Sequence, residues 1–271
     1  LKLMAACAGG ITAAVILGHL YAIDEGHKVE CLTLLVTVLD TRAKTLLGLF
    51  ANDASVKAAI SRSRKQGVLD GAQMARAFAW LRPDDLVWGF VANNYVMGNQ
   101  PPAFDILYWN NDTTRLPAQF HADLLNVFKQ NPLIKPNGMK MLGQPIDLKK
   151  VDCDIFVIAG ITDHITPWHA CYRATQMFGG DATFVLSSSG HVQSIVNPPS
   201  NPKAKYFLHD DYSLPAEQWL EQSEVHEGSW WTLWTEWARE HSSGERDAPQ
   251  ELGSKANAPS DPAPGRYIYQ Q

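Results

Sequence analysis

Several kinds of signal are missing from this sequence. No run of about 18 apolar residues occurs in the 271-residue chain, so a transmembrane segment is not expected. There is no basic surplus either: 23 Lys and Arg face 28 Asp and Glu, a formal net charge of -5, and a nucleic-acid binder would need a basic face. The four cysteines (Cys7, Cys31, Cys153 and Cys171) form no CxxC pair, which reads as reduced thiols in a cytoplasmic protein. The nine histidines show no HxH or HxxxH pairing, so no metal site is expected. No glycine-rich loop followed by lysine is present to cradle a phosphate, and no bound cofactor is expected. The chain begins with Leu inside an apolar segment and is therefore expected to be a fragment of a longer protein.

What is present is an alternation of strands and helices. Residues 1–6 are short and apolar, Gly9 and Gly10 punctuate them, and residues 11–23 carry apolar side chains at helical spacing. The run VECLTLLVTV, residues 29–38, has the continuous apolar and β-branched character of a strand buried on both faces. Strand character returns in CDIFVIA, residues 153–159, and in ATFVL, residues 182–186. Such alternation predicts an α/β fold around a parallel sheet. The stretch between, 41–145, holds helical patterns and turn formers without a strong buried strand, and is expected to form a cap. The expected organisation is a catalytic core over 1–40 and 146–241, a cap insertion over 41–145, and a tail over 242–271 rich in Ser, Gly, Pro, Ala and charge. Trp230, Trp231, Trp234 and Trp237 stand at helical spacing and read as a helix packed on the core.

Three residues fall just beyond predicted strands. Cys7 follows the first strand at a turn of small residues, Asp163 follows CDIFVIA, and His191 follows ATFVL. Catalytic groups in an open parallel sheet gather beyond the carboxyl ends of the strands. The order nucleophile, acid, histidine is that of the α/β-hydrolases, whose elbow needs small neighbours around a strained nucleophile. Ala5-Ala6-Cys7-Ala8-Gly9 meets that condition with Ala in place of the first glycine. In this reading His191 is the base, Asp163 holds its tautomer, and the Ala8 amide is one oxyanion donor. His164 either positions substrate or packs under its loop. Trp109 lines an acyl channel or a dimer surface, or belongs to the core. Cys31, Cys153 and Cys171 read as buried and inert, and His121 as a surface or cap residue.

The segments LMAACAGG, FDILYWNNDTTRLP, GITDHITPW, SSSGHVQSIVNPP, EGSWWTLW and APGRYI together resemble polyhydroxyalkanoate synthases. GVLDGAQMARAFAWLRPDDLVW and FGGDATFVLSSSGH resemble the class that polymerises medium-chain monomers. The resemblance implies an acyltransferase of the α/β-hydrolase fold, with N-terminal strands absent from this chain. It would polymerise (R)-3-hydroxyacyl-CoA, releasing coenzyme A as the leaving group of its substrate. It also implies catalytic roles for Cys7, Asp163 and His191, a cytoplasmic location on polyester granules, and a homodimer. Two other readings stand beside it: a cysteine-dependent esterase or thioesterase on the same fold, and a non-catalytic granule-binding or dimerising fragment.

Overall fold

The computed structural model describes residues 1–42, 52–81, 83–101, 108, 112–263 and 265–269. They divide into two compact units, one of residues 1–69 with 116–241, the other of residues 70–115 with 242–271.

The first unit is built on a six-stranded sheet. Its elements begin with strand β1 (Lys2–Ala6), helix α1 (Ala8–Ala22) and strand β2 (Cys31–Leu35). Helix α2 (Asp53–Gln66) and strand β3 (Val68–Leu69) follow. Within the second unit lies helix α3 (Gly71–Leu81). The chain rejoins the first unit at β4 (Leu116–Pro117), α4 (Ala118–Gln130), β5 (Met139–Met141), β6 (Gln144–Ile146) and β7 (Asp154–Gly160). It continues through α5 (Trp168–Tyr172), β8 (Ala182–Ser187), α6 (His191–Ile195) and β9 (Lys205–Leu208). The last elements are α7 (Ala216–Gln222), β10 (Glu224–Glu227) and α8 (Trp230–Glu240).

The sheet order is β1-β2-β7-β8-β9-β10. The first four strands are parallel, and β9 and β10 continue the sheet antiparallel. These last two strands were not expected from the sequence. KYFL and EVHE are short, and EVHE lies largely exposed at the sheet edge, so neither carries the apolar run of a buried strand. The apolar runs of β2, β7 and β8 do what strands buried on both faces must: successive side chains feed opposite cores. Ile155, Val157, Phe184 and Leu186 join α1 on one face, while Phe156, Ile158 and Val185 meet Trp230 on the other.

Strand β2 ends at Leu35, earlier than its apolar run suggests, because Val36 takes φ 45°, a left-handed conformation costly for a β-branched residue. The turn lets Thr37 face the start of α1. There Gly10 is obligatory: a Cβ on it would fall 2.1 Å from Thr37 Oγ1. At Gly9, whose place in the elbow suggested the steric need, a Cβ would meet no described atom within 4 Å.

Helices α2 and α4 pack together, and His121 of α4 is buried between them instead of lying at the surface. Its Nδ1 lies 3.0 Å from Ser63 Oγ, and burial pushes its pKa down. In the second unit α3 is followed by two π-helical turns, Asp84–Trp88 and Val91–Val96. There Tyr267 donates to Asp112 at 2.6 Å and meets the Tyr108 ring edge-on at 5.2 Å. Among the described residues no helix is long and apolar enough to cross a membrane.

Candidate active site

Cys7 occupies the single residue between β1 and α1 and adopts φ 50°, ψ -124°. This is strained backbone for a residue with a Cβ, and strain of this kind persists only where the surroundings over-determine it. They do here. The Cys7 amide donates to Leu35 O at 2.8 Å, and its carbonyl accepts from the Gly10 amide at 3.0 Å and from Thr37 Oγ1 at 3.2 Å. The thiol is partly exposed, whereas Cys31, Cys153 and Cys171 are buried. Burial raises the pKa of all three, Cys153 to about 11, so those thiols stay protonated at neutral pH. Ala8 is the first residue of α1, a position whose amide has no partner inside its helix.

Asp163 lies in the loop that leaves β7, and His191 opens α6 beyond β8. With Cys7 they share the carboxyl edge of the four parallel strands. His191 Nδ1 donates to Asp163 Oδ2 at 2.7 Å, and the Cys7 side chain stands near enough to the imidazole to raise its pKa. The sequence-predicted trio is therefore gathered at one edge of the sheet, with the imidazole bonded to the carboxylate and the cysteine beside it. Gly160, the last residue of β7, makes room for it: a Cβ there would stand 2.6 Å from Ser189 O in the loop leading to His191. The indoles of α8 hold α6 from behind, Trp230 Nε1 donating to Ser194 O at 2.7 Å and Trp231 Nε1 to Ile195 O at 3.0 Å.

The carboxylate of Asp163 is shielded from solvent, with a side-chain exposure of 0%. Burial alone would favour its neutral form. Hydrogen bonds from His191 and Thr166 outweigh that and bring its pKa below the usual carboxylate value. For His191 burial opposes the charge, but the bond to Asp163 and the neighbouring Cys7 prevail and push its pKa up to about 9.

Thr166 escaped the sequence reading. Its hydroxyl donates to Asp163 Oδ2 at 2.7 Å and lies 3.2 Å from His191 Nδ1. The amides of Ile165 and Thr166 donate to Asp163 Oδ1 at 2.8 and 2.9 Å, an Asx-type turn. The local signal was the pattern Asp-x-x-Thr closed by Pro167, which favours a side chain folding back on its own backbone. His164 follows Asp163 in the same loop and is half-buried. Trp109 lies outside the described residues. Among the described residues no group of three or more His, Cys, Asp or Glu could hold a metal ion.

The poly(3-hydroxyalkanoate) polymerase 1 of Ectopseudomonas oleovorans is 49% identical over 271 residues, 100% of this chain and 48% of that protein. Polymerase 2 of the same organism is 51% identical over 98% of this chain and 48% of its own length. The poly(3-hydroxyalkanoate) polymerase subunit of Cupriavidus necator is 35% identical over 97% of this chain and 45% of its length. The resemblance to polyhydroxyalkanoate synthases thus runs the length of the chain, which spans about half the length of these curated relatives. Among solved structures, a monoacylglycerol lipase of Paleococcus ferrophilus aligns at 16% identity with a TM-score of 0.38, over 70% of this chain and 59% of that one. Residues 2–198 match the alpha/beta hydrolase fold family. With a mostly parallel sheet and a strained residue between its first strand and helix, the chain belongs to that family.

Proposed function

We propose that this chain carries the acyl-transfer centre of a poly(3-hydroxyalkanoate) polymerase acting on medium-chain (R)-3-hydroxyacyl-CoA. The observation that carries the reading is the His191–Asp163 hydrogen bond beside the strained Cys7, in a chain 49% identical to such a polymerase.

His191 carries the proton through the chemistry. It takes the Cys7 proton as Sγ attacks the thioester carbonyl and forms a new carbon–sulfur bond. The oxyanion that develops is met by the Ala8 amide. When the intermediate collapses, the bond to the coenzyme A sulfur breaks, and His191 gives its proton to that sulfur. The acyl group now rests on Cys7 as a thioester, still activated, and the imidazole is neutral. The 3-hydroxyl of a second monomer or chain end then passes its proton to His191 as its oxygen attacks the acyl carbonyl. Cys7 leaves and recovers its proton from His191, and one ester bond has formed per coenzyme A released. Asp163 stays ionised throughout and steadies the imidazolium.

Water at the acyl-Cys7 stage would divert the product to a free hydroxy acid. Residues 41–145 are assigned the role of a cap that excludes it. His164 and Trp109 are assigned to the substrate path, and the protein is placed in the cytoplasm as a homodimer at the surface of polyester granules. No cofactor is required, because coenzyme A enters and leaves with the substrate.

The test is coenzyme A release from a medium-chain (R)-3-hydroxyacyl-CoA with product analysis, comparing this chain with its Cys7→Ala variant. Release with polymer formation, reduced more than about a thousandfold by Cys7→Ala, is the expected result. Free hydroxy acid as the product would make the protein a thioesterase. Release that survives Cys7→Ala would overturn the assignment.

A further inference from the structure

The Asp163 carboxylate is fully occupied by donors. Oδ1 accepts two backbone amides, and Oδ2 accepts both His191 Nδ1–H and Thr166 Oγ1–H. Only one of these four donors is neither backbone nor the histidine itself. Thr166 is 7% exposed, so its hydroxyl works beyond the reach of bulk water. The closeness of Thr166 Oγ1 to His191 Nδ1, 3.2 Å, means that both donors converge on one oxygen from neighbouring directions.

We propose that Thr166 is a positioning residue for acyl transfer, whose hydroxyl shares Asp163 Oδ2 with His191 and thereby limits how tightly the imidazole keeps its proton. A charge-assisted hydrogen bond draws electron density from the oxygen that accepts it. With Thr166 in place the carboxylate is less basic toward the imidazole than it would be with His191 as sole partner of Oδ2. The two amides on Oδ1 keep the carboxylate in position whether or not the hydroxyl is present, so its removal changes the electrostatics more than the geometry. The charged and titratable groups around the pair all belong to this balance. Asp163 faces His191 from the loop after β7, Cys7 from the elbow, and the buried thiol of Cys171 faces Asp163 from α5.

The consequence for turnover rests on the acyl-transfer reading, since His191 must release a proton to the departing sulfur and take one from the hydroxyl in every cycle. An imidazole that holds its proton too firmly is slow in the first step. The effect on the imidazole itself does not depend on that reading.

Thr166→Val removes the hydroxyl and keeps the shape, and Thr166→Ser keeps the hydroxyl and removes the methyl. Two measurements are made on each: the NMR titration of the His191 imidazole in the resting protein, and the pH profile of coenzyme A release. In Thr166→Val the titration midpoint and the basic limb of the profile move to higher pH. Its kcat falls about tenfold, the scale of one hydrogen bond to a charged group, with KM little changed. Thr166→Ser titrates and turns over like the wild type. If the valine variant does not fold, Thr166→Ala supplies the same comparison. A midpoint that stays put or moves down without the hydroxyl, or a serine variant that behaves like valine, overturns the proposal. A midpoint that moves up in a protein releasing no coenzyme A would leave Thr166 in its role and sink the polymerase reading instead.

Discussion

Asp40 and Asp163 are both buried carboxylates just beyond parallel strands of one sheet, and their partners make them different devices. Asp40 is gripped by Arg42 Nε at 3.0 Å and Nη2 at 2.7 Å, by Asn131 Nδ2 at 2.8 Å, and by Arg173 Nη1 at 3.3 Å. In spite of burial these donors hold its carboxyl far below the usual carboxylate range. Asp163 is equally well supplied, but its cationic partner is an imidazole. A guanidinium does not surrender its proton in water, so the Asp40 cluster is a fastener joining the β2 loop, the end of α4 and the segment after α5. An imidazolium does exchange its proton, so the same degree of hydrogen bonding around Asp163 yields a group that can do chemistry. Burial and carboxylate count alone would have ranked the two alike.

The comparison breaks most visibly at Asp163. Asp163→Asn keeps the size but leaves the imidazole without its counter-charge, and coenzyme A release is expected to fall about ten-thousandfold while the circular dichroism spectrum stays native. Asp40→Asn should do the opposite. It weakens hydrogen bonds to two guanidinium groups, and urea unfolding should show a loss of about 2 kcal/mol. Its Cys7 should alkylate at the wild-type rate. A large loss of Cys7 reactivity in Asp40→Asn would mean that the two clusters are coupled through the elbow.

A third effect is in pH. The His191 pKa is raised in the fold, to about 9 from an unfolded value near 6.5. The stability it contributes is therefore complete below about pH 6.5 and is lost as pH rises through about 9. Thermal unfolding followed across that window should show the decline in the wild type and in Asp40→Asn, and a flatter profile in His191→Gln. An unchanged slope in His191→Gln would assign the decline to another group.

Much of the site was legible because each member sits at the end of a strong strand signal. CDIFVIA and ATFVL announce buried strands, and whatever follows them must lie at the carboxyl edge, so Asp163 and His191 could be located from pattern alone. Cys7 was legible from the small residues around it. The remaining features depend on contacts distant in sequence. Ser63 meets His121 across 58 residues, and nothing local in RLPAQFHADLL reveals that the histidine is buried. Gly10, more than Gly9, is held glycine by Thr37, a residue whose approach follows from the left-handed turn at Val36. Strands β9 and β10 were missed because EVHE is an edge strand with three ionisable residues out of four, a composition that keeps an exposed edge from pairing further.

The indoles of α8 have one more consequence. Helix α6 is only five residues long, too short to hold its shape unaided, and its final carbonyls would ordinarily fray into solvent. Trp230 and Trp231 accept that burden, acting as a C-terminal cap supplied by another helix. The imidazole at the first position of α6 inherits this order. In the proposed acyl transfer each cycle then opens from that same ring orientation. The order of the candidate catalytic ring is thus lent by two indoles of a separate helix.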